Sequence, residues 1–233
     1  MAGVLSKLRP AKVRSALRRR WFENRMSRLN VEPMDGLIAL GSDYGYWTVP
    51  GDQIDFTWTC YCVGAGGDIS FERELLSRYG ATVRSFEPDE DYIGRIEVDP
   101  EDESRFSAHQ VAIAPADGPL RMQRTHIPGS RSLSPADLYD THDYVEVSGR
   151  SLRSLMEEFG DDSVELLKVD VEGGEYELLP TLDLIAMRVR VFCIQLHHTG
   201  TVREARGLVD RLRGEGFRLV FVDEAVRLTF VRD

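Results

Sequence analysis

The sequence lacks several features that would place it in a specialised class of protein. It has only three cysteines, which are too few for a disulfide framework and are typical of a reducing compartment. No apolar run approaches the roughly 20 residues of a membrane-spanning helix, so we do not expect an integral membrane protein. With 42% hydrophobic and 29% charged residues among 233, the composition predicts a cytoplasmic globular protein with a full core.

Lysine is also scarce, and the charge is distributed unevenly. Three lysines stand against 26 arginines, and residues 1–30 carry nine basic side chains and one acid, a net charge of +8. The remaining 203 residues carry −18, within a total of −10. Because such an acidic body repels phosphates, we expect no nucleic-acid partner.

Residues 1–40 form a basic arm ahead of the main domain. Apolar residues recur among the arginines every three to five positions, which predicts an amphipathic helix after Pro10. Two interpretations stay open. The helix docks on the acidic body through its apolar stripe, or it makes a peripheral contact with anionic lipid or an acidic partner. The stripe comprises Leu5, Leu8, Val13, Leu17, Trp21, Met26 and Leu29.

From about Gly41 onward, short β-branched and aromatic runs alternate with helical stretches. This alternation predicts a Rossmann-like α/β domain over residues 41–233, with a mostly parallel sheet and helices on both faces. The end of the chain predicts an antiparallel hairpin, which is typical of the seven-stranded methyltransferase version of this fold. The predicted strands are 44–49, 57–63, 82–86, 106–114, 164–171 and 189–196, and the predicted helices are 70–79 (with Ser70 as N-cap), 88–97, 151–159, 174–184 and 202–213.

Residues 115–150 are the least regular stretch and are rich in Pro, Gly, Ser, His and Asp. A loop of this length in a compact domain is usually a lid or a substrate-binding segment. We therefore expect this segment to close over a substrate.

A glycine pattern, Gly64-Ala65-Gly66, follows the apolar strand 57–63. Glycine lets the chain turn sharply and lets a ligand approach the backbone, and the amides opening the next helix favour a polar group. Glu87 follows at the end of the second strand, where a carboxylate accepts hydrogen bonds from ribose hydroxyls. This order predicts a nucleoside cofactor; a tight structural turn with a surface Glu87 is the alternative.

The position of a third glycine helps to identify the nucleoside. Ile69 stands where a dinucleotide fingerprint needs that glycine, so a nicotinamide-dependent oxidoreductase is disfavoured. The adenosine cofactor of methyl transfer has no pyrophosphate and does not need it.

A second polar group follows two later strands. Asp170 and Glu172 end one of them, and His197 and His198 end the next, at the edge where open α/β sheets bind ligands. A carboxylate and a histidine there can serve as base and orienter for a hydroxyl nucleophile. Alternatively, Asp170, Glu172 and His197 can hold a divalent cation such as Mg²⁺. Glu175 is interpreted as a helix N-terminal charge.

Several motifs together resemble the FkbM-type S-adenosylmethionine-dependent methyltransferases. The resemblance covers about residues 41–233, and the combination of FEP with DVEGxE is quite specific. The motifs are VGAGGDISFE at 63–72, SFEPD at 85–89, VAIAPADGPLRM at 111–122, LLKVDVEGGEYELL at 166–179 and the closing hairpin.

The resemblance implies a class I methyltransferase that methylates a hydroxyl on a sugar or small natural product. A small-molecule or glycan acceptor would be its partner. Asp170 and Glu172 would face the reacting end, with Asp170 or His197 as the base. The implied cofactor contacts are Gly64, Ala65, Gly66 and Asp68 along the methionine, Glu87 with Pro88 at the ribose, and Val111 and Ala112 near the adenine.

One position departs from the family pattern. Most members have an acid two positions before the first glycine, where this chain has Cys62. The pattern resembles a minority branch in which the acid follows the glycines, here as Asp68. Cys60 and Cys62 share one face of their strand and are predicted to be small core residues. The missing acid also supports an alternative, a cofactor-binding or partner-binding module without catalysis.

Overall fold

The computed structural model describes residues 10–125, 132–136, 138 and 142–233. The predicted arm residues Leu5 and Leu8 lie outside this part of the chain. The helices are α1 (Pro10–Met26), α2 (Ser70–Tyr79), α3 (Glu90–Ile93), α4 (Leu152–Phe159), α5 (Glu175–Leu178) and α6 (Val202–Gly214). The strands are β1 (Leu37–Leu40), β2 (Trp47–Pro50), β3 (Thr59–Val63), β4 (Thr82–Phe86), β5 (Phe106–His109), β6 (Ala112–Ile113), β7 (Gly118–Arg124), β8 (Leu133–Ser134), β9 (Tyr144–Arg150), β10 (Leu166–Val169), β11 (Val191–Gln195), β12 (Arg218–Val222) and β13 (Arg227–Val231).

A seven-stranded sheet forms the centre, in the order β12-β13-β11-β10-β3-β4-β5. The strands from β11 to β5 are parallel, and β13 pairs antiparallel with both β11 and β12. This arrangement confirms the predicted fold, including the C-terminal hairpin.

Helices cover both faces of this sheet because its inner strands are apolar on both sides. On β3, Tyr61 and Val63 pack into the core under α1, α4, α5 and α6, whereas Cys60 and Cys62 pack under α2. Both cysteines are buried, as predicted for small core residues.

The sheet order reverses between β3 and β10. From β3 the chain adds β4 and β5 on one side, and it later adds β10 and β11 on the other. The loops that leave these two strands therefore diverge and leave a crevice at the carboxyl edge of the sheet, which is where open α/β sheets bind ligands.

The largest difference from the sequence prediction lies within residues 115–150. Much of this stretch forms a second sheet, in the order β6-β9-β7-β8, in which β7 and β9, each seven residues long, pair antiparallel over six residues. Apolar side chains on one face bury Met122 against Ala112 and Leu133. The prediction of an irregular loop was wrong because alternate apolar residues, such as Val145 and Val147, are enough to form a half-buried strand.

Other boundaries also differ. The helix predicted over 88–97 is only the single turn α3, whose N-cap is Asp89, and the strand predicted over 106–114 is split into β5 and β6. The helix predicted over 174–184 is α5 followed by a short 3₁₀ turn at Leu179–Thr181. The predicted lead-in strand is β2, which pairs with β1, a strand that was not predicted.

The arm docks on the body through α1. Phe22 and Met26 are buried in the core, α1 packs against α6, and the Arg18 side chain donates a hydrogen bond to the Thr199 carbonyl. The predicted stripe was partly wrong, because Leu17 is 64% exposed and Trp21 is 55% exposed. None of the described helices is both long and apolar enough to cross a bilayer.

Candidate active site

A cleft of about 1490 Å³ opens at the carboxyl edge of the central sheet. The loops that follow β3, β4, β10 and β11 form its floor, and residues of the small sheet and of α1 form its walls. The cleft thus lies at the reversal of strand order. All the residues predicted to contact a cofactor line it: Gly64, Ala65, Gly66, Asp68, Glu87, Pro88, Val111 and Ala112.

The turn after β3 requires glycine at its first position. Gly64 has φ +81°, and a Cβ there would lie 2.0 Å from the carbonyl oxygen of Asp170. Gly66 has φ +58°, but the space around its missing Cβ is open. The first glycine therefore lets the turn lie against the end of β10, and the second leaves room beside the turn.

Glu87 connects this turn to the loop after β4. Its carboxylate is buried and accepts hydrogen bonds from the backbone N–H groups of Gly66 and Asp89, both at 2.9 Å. Burial raises the pKa of Glu87, although these two hydrogen bonds act in the opposite direction. Glu87 is thus not a surface residue, as the alternative reading of the turn assumed.

Asp68 has hydrogen-bond partners within the protein. Its carboxylate accepts from the Ser42 hydroxyl at 2.6 Å and from the Ser70 N–H at 2.9 Å. Burial alone would raise the pKa of Asp68, but these hydrogen bonds lower it overall. Ser70 is the first residue of α2, so its prediction as N-cap was wrong. Asp68 holds the segment after β1 against the start of α2.

The charged group beside Cys62 belongs to Lys168, a residue that the sequence analysis did not single out. Lys168 pairs in register with Cys62, and its buried ammonium group donates to the Gly64 carbonyl at 2.5 Å. The Glu72 carboxylate, fully buried in the first turn of α2, lies 3.6 Å from the same Nζ atom. Burial lowers the pKa of Lys168, but Glu72 and other nearby groups raise it overall. The sequence signal for this buried ion pair was a lysine in an otherwise apolar strand, because lysine is rarely buried without a partner.

A histidine and three carboxylates lie at the other end of the cleft. His197 Nδ1 lies 2.6 Å from Glu175 Oε1, and its Nε2 lies 3.5 Å from Glu172 Oε2. Ligand atoms of Asp170, Glu175 and His197 all lie within 4.8 Å of one another. The structure therefore brings together the three predicted residues Asp170, Glu172 and His197.

Glu175 is the first residue of α5, as predicted for a helix N-terminal charge. The sequence did not show that its side chain is fully buried, accepts from the Gly173 N–H and contacts His197. No local pattern distinguishes this glutamate from an exposed one in the first turn of a helix. Its role depends on the packing of α5 beneath the loop after β11.

The surroundings shift the pKa values of Asp170 and His197 in informative ways. Burial raises the pKa of Asp170 to about 6, with His197 lowering it and Glu172 raising it. Burial alone would lower the pKa of His197, but Glu175, Asp170 and Glu172 raise it to about 9. At neutral pH, Asp170 is therefore mostly a carboxylate, and His197 is an imidazolium held between acids.

Backbone strain marks the loop that carries Glu172. Glu172 has φ +49°, a region that non-glycine residues rarely adopt. The Ser134 hydroxyl donates to its carbonyl oxygen at 2.5 Å, so β8 of the small sheet fixes this loop. Conformations of this kind persist only where the surroundings enforce them, and they cluster at functional sites.

The side chains of this cluster also bear on the alternative that the site binds a divalent cation. Asp170, Glu175 and His197 form a donor set for a divalent cation among the described residues. Imidazole binds a metal only in its neutral form. Binding of a cation would therefore release the proton of His197, and a carboxylate such as Glu175 on the other ring nitrogen is also how metal-bound histidines are oriented. The donor set is compatible with a divalent cation as well as with a metal-free site.

Comparison with known proteins agrees with this geometry. Residues 63–219, from the end of β3 to β12, match the family model described as Methyltransferase FkbM domain. No curated protein matches the chain. The matched region contains the glycine turn, Glu87 and the Asp170–His197 cluster. The chain therefore belongs to the FkbM methyltransferase family, and this membership implies a class I methyltransferase that uses S-adenosylmethionine.

Proposed function

We propose that the protein transfers a methyl group to a hydroxyl of a sugar or a small natural product. The observation that carries this proposal is the position of Asp170, a carboxylate with a pKa of about 6 at the floor of the cleft beside the glycine turn. A hydroxyl must lose its proton as it accepts a methyl group, and a base of this pKa accepts protons at neutral pH.

The residues of the glycine turn fit the cofactor. S-adenosylmethionine supplies the methyl group in an activated form, as a sulfonium. Gly66 leaves open space beside the turn, and Glu87 retains lone pairs with which to accept hydrogen bonds from ribose hydroxyls. Val111 and Ala112 supply apolar surface on the same wall for the adenine.

We assign the proton transfer to Asp170 rather than to His197. The imidazolium of His197 has no free lone pair with which to accept a proton. Glu175 orients the His197 ring, and the positive charge of His197 keeps Asp170 ionised near neutral pH. His197 and Glu175 are therefore positioning residues, and Glu172 holds the second ring nitrogen.

The acceptor would lie between the small sheet and α1. This part of the cleft is lined by Pro135 and Leu138 from the 115–150 segment and by Ala16 and Arg19 from α1. The segment predicted as a lid thus forms a wall on the acceptor side, which supports a role in binding the substrate.

Replacement of Asp170 with Asn tests the proposal. We expect methyl transfer from labelled S-adenosylmethionine to a panel of sugars and phenols to fall by about 10²-fold or more, the usual contribution of a positioned base. The affinity for S-adenosylhomocysteine, measured by calorimetry, should change by less than about tenfold, which is about 1.4 kcal/mol in binding free energy.

Glu177→Gln is the matched control, because Glu177 is exposed on α5. Its turnover should equal that of the unmodified protein, and unchanged turnover of Asp170→Asn would exclude Asp170 as the base. The alternative of a module without catalysis predicts cofactor binding with no turnover on any acceptor. Failure to bind either S-adenosylmethionine or S-adenosylhomocysteine would overturn the enzymatic proposal altogether.

A further inference from the structure

Helix α1 has two different faces. Its inner face buries Phe22 and Met26 in the core. Its outer face leaves Leu17 and Trp21 one turn apart and more than half exposed. Residues four apart lie on the same side of a helix, so these two side chains form a continuous apolar spot on the surface.

Basic side chains surround this spot. The Arg25 guanidinium lies 5.7 Å from the centre of the Trp21 ring. A groove of about 640 Å³ between α1 and α6 is lined by Trp21, Arg25, Arg203 and Arg206. Asp210 also lines it, but its carboxylate lies 3.7 Å from an Arg213 nitrogen. Among the described residues, none of the three arginines of this groove has an ion-pair partner.

The charge of the rest of the molecule determines which side of the protein would face an anionic surface. Residues 31–233 carry a net charge of −18, so an anionic surface repels the body and attracts the arm. Tryptophan favours the boundary between water and lipid, where the ring is buried and the indole N–H stays hydrated. Arginines beside it attract anionic headgroups.

We propose that the outer face of α1, together with Arg203 and Arg206 of α6, binds the surface of an anionic phospholipid bilayer. Trp21 and Leu17 would enter the headgroup boundary, and the arginines would contact lipid phosphates. A third side of the same helix lines the cleft through Ala16, Arg19 and Glu23. Binding would therefore hold the acceptor end of the cleft beside the membrane; this last step rests on the proposed function, whereas binding itself does not.

Substitution is a better test than truncation, because deletion of residues 1–30 would also remove the buried Phe22 and Met26. The double variant Trp21→Ala/Arg25→Ala removes one aromatic and one cation from the outer face. Its matched control is Ile185→Ala/Arg153→Ala, because both of those residues are exposed elsewhere on the surface. Thermal unfolding shows whether each full-length variant is folded.

The experiment is co-sedimentation with vesicles of phosphatidylcholine alone or mixed with phosphatidylglycerol. We expect the unmodified protein to bind the mixed vesicles and to dissociate as salt is raised, because salt screens these charges. Trp21→Ala/Arg25→Ala should bind at least about fivefold more weakly, since one arginine near such a surface contributes about a factor of five. The control should bind like the unmodified protein.

Three results would overturn the proposal. They are equal binding to the neutral and the mixed vesicles, unchanged binding of the Trp21→Ala/Arg25→Ala variant, and equally tight binding to a lipid-free polyanion such as heparin. Because no step of this test involves methyl transfer, loss of vesicle binding and loss of cofactor binding are separate outcomes.

Discussion

At the scale of single residues, Asp170 and His197 are neighbours whose pKa values are shifted so that they carry opposite charges at neutral pH. Asp170 and His197 interact, yet burial raises the pKa of Asp170 to about 6 and the surrounding carboxylates raise the pKa of His197 to about 9. Pairs whose surroundings separate their pKa values in this way usually divide the roles of proton acceptor and fixed charge.

This separation predicts the pH dependence of methyl transfer. Asp170 accepts a proton only when it is ionised, so the rate should rise with pH through about 6 and level off above it. His197→Gln removes a positive charge that lowers the pKa of Asp170, so the rising limb should move to higher pH. A pH–rate profile of both proteins checks this, and an unmoved limb would show that His197 does not act through Asp170.

A second prediction concerns the acid that is absent at Cys62. Glu72→Gln leaves the buried Lys168 ammonium without its counter-charge, which should cost about 3–5 kcal/mol in the free energy of unfolding. Cys62 lies directly beside Lys168 on the neighbouring strand. Adding Cys62→Asp to Glu72→Gln should therefore restore much of the loss, as measured by chemical denaturation.

Cys60 provides the control for this exchange. It is also buried on β3, but it pairs in register with Leu166 rather than with Lys168. Cys60→Asp should therefore not rescue Glu72→Gln. Equal rescue from both positions would mean that Glu72 and Lys168 do not interact as a specific pair.

At the scale of elements, the strands that carry the site were predictable and the small sheet was not. Apolar runs that end at glycine, an acid or histidine identified β3, β4, β10 and β11, because a buried parallel strand has few other patterns. The strands β7 and β9 are half-exposed, and their positions depend on pairing with each other across about 20 residues. Composition rich in proline, glycine and serine concealed that pairing.

The docking of α1 gives a prediction about stability. Met26, the last residue of α1, is fully buried in the core, so Met26→Ala should lower the free energy of unfolding by about 2–5 kcal/mol. Leu17→Ala, on the exposed face of the same helix, should change it by less than about 0.5 kcal/mol. Chemical denaturation of the two variants measures both values. Equal losses would contradict the orientation of the helix.

At the scale of the whole molecule, the sequence predicted which residues line the cleft better than how they contact one another. Strand order and the positions of Gly64, Glu87 and Asp170 follow from local patterns. The environment of His197 does not, because it depends on Glu175, a helix N-terminal residue whose burial follows only from the packing of α5. The same holds for Lys168 and Glu72, which come together from a strand and a helix far apart in the chain.

The three tryptophans lie in different surroundings, so their intrinsic fluorescence can report on different binding events. Trp47 lines the cleft with its ring 5.9 Å from the Lys168 ammonium, Trp58 is enclosed in the core, and Trp21 faces solvent on α1. Indole emission shifts to shorter wavelength when water is removed from the ring. A ligand in the cleft would therefore alter the emission of Trp47, whereas a lipid surface would shift that of Trp21. Two variants, each keeping one of these tryptophans, would let the two events be followed separately without any added dye.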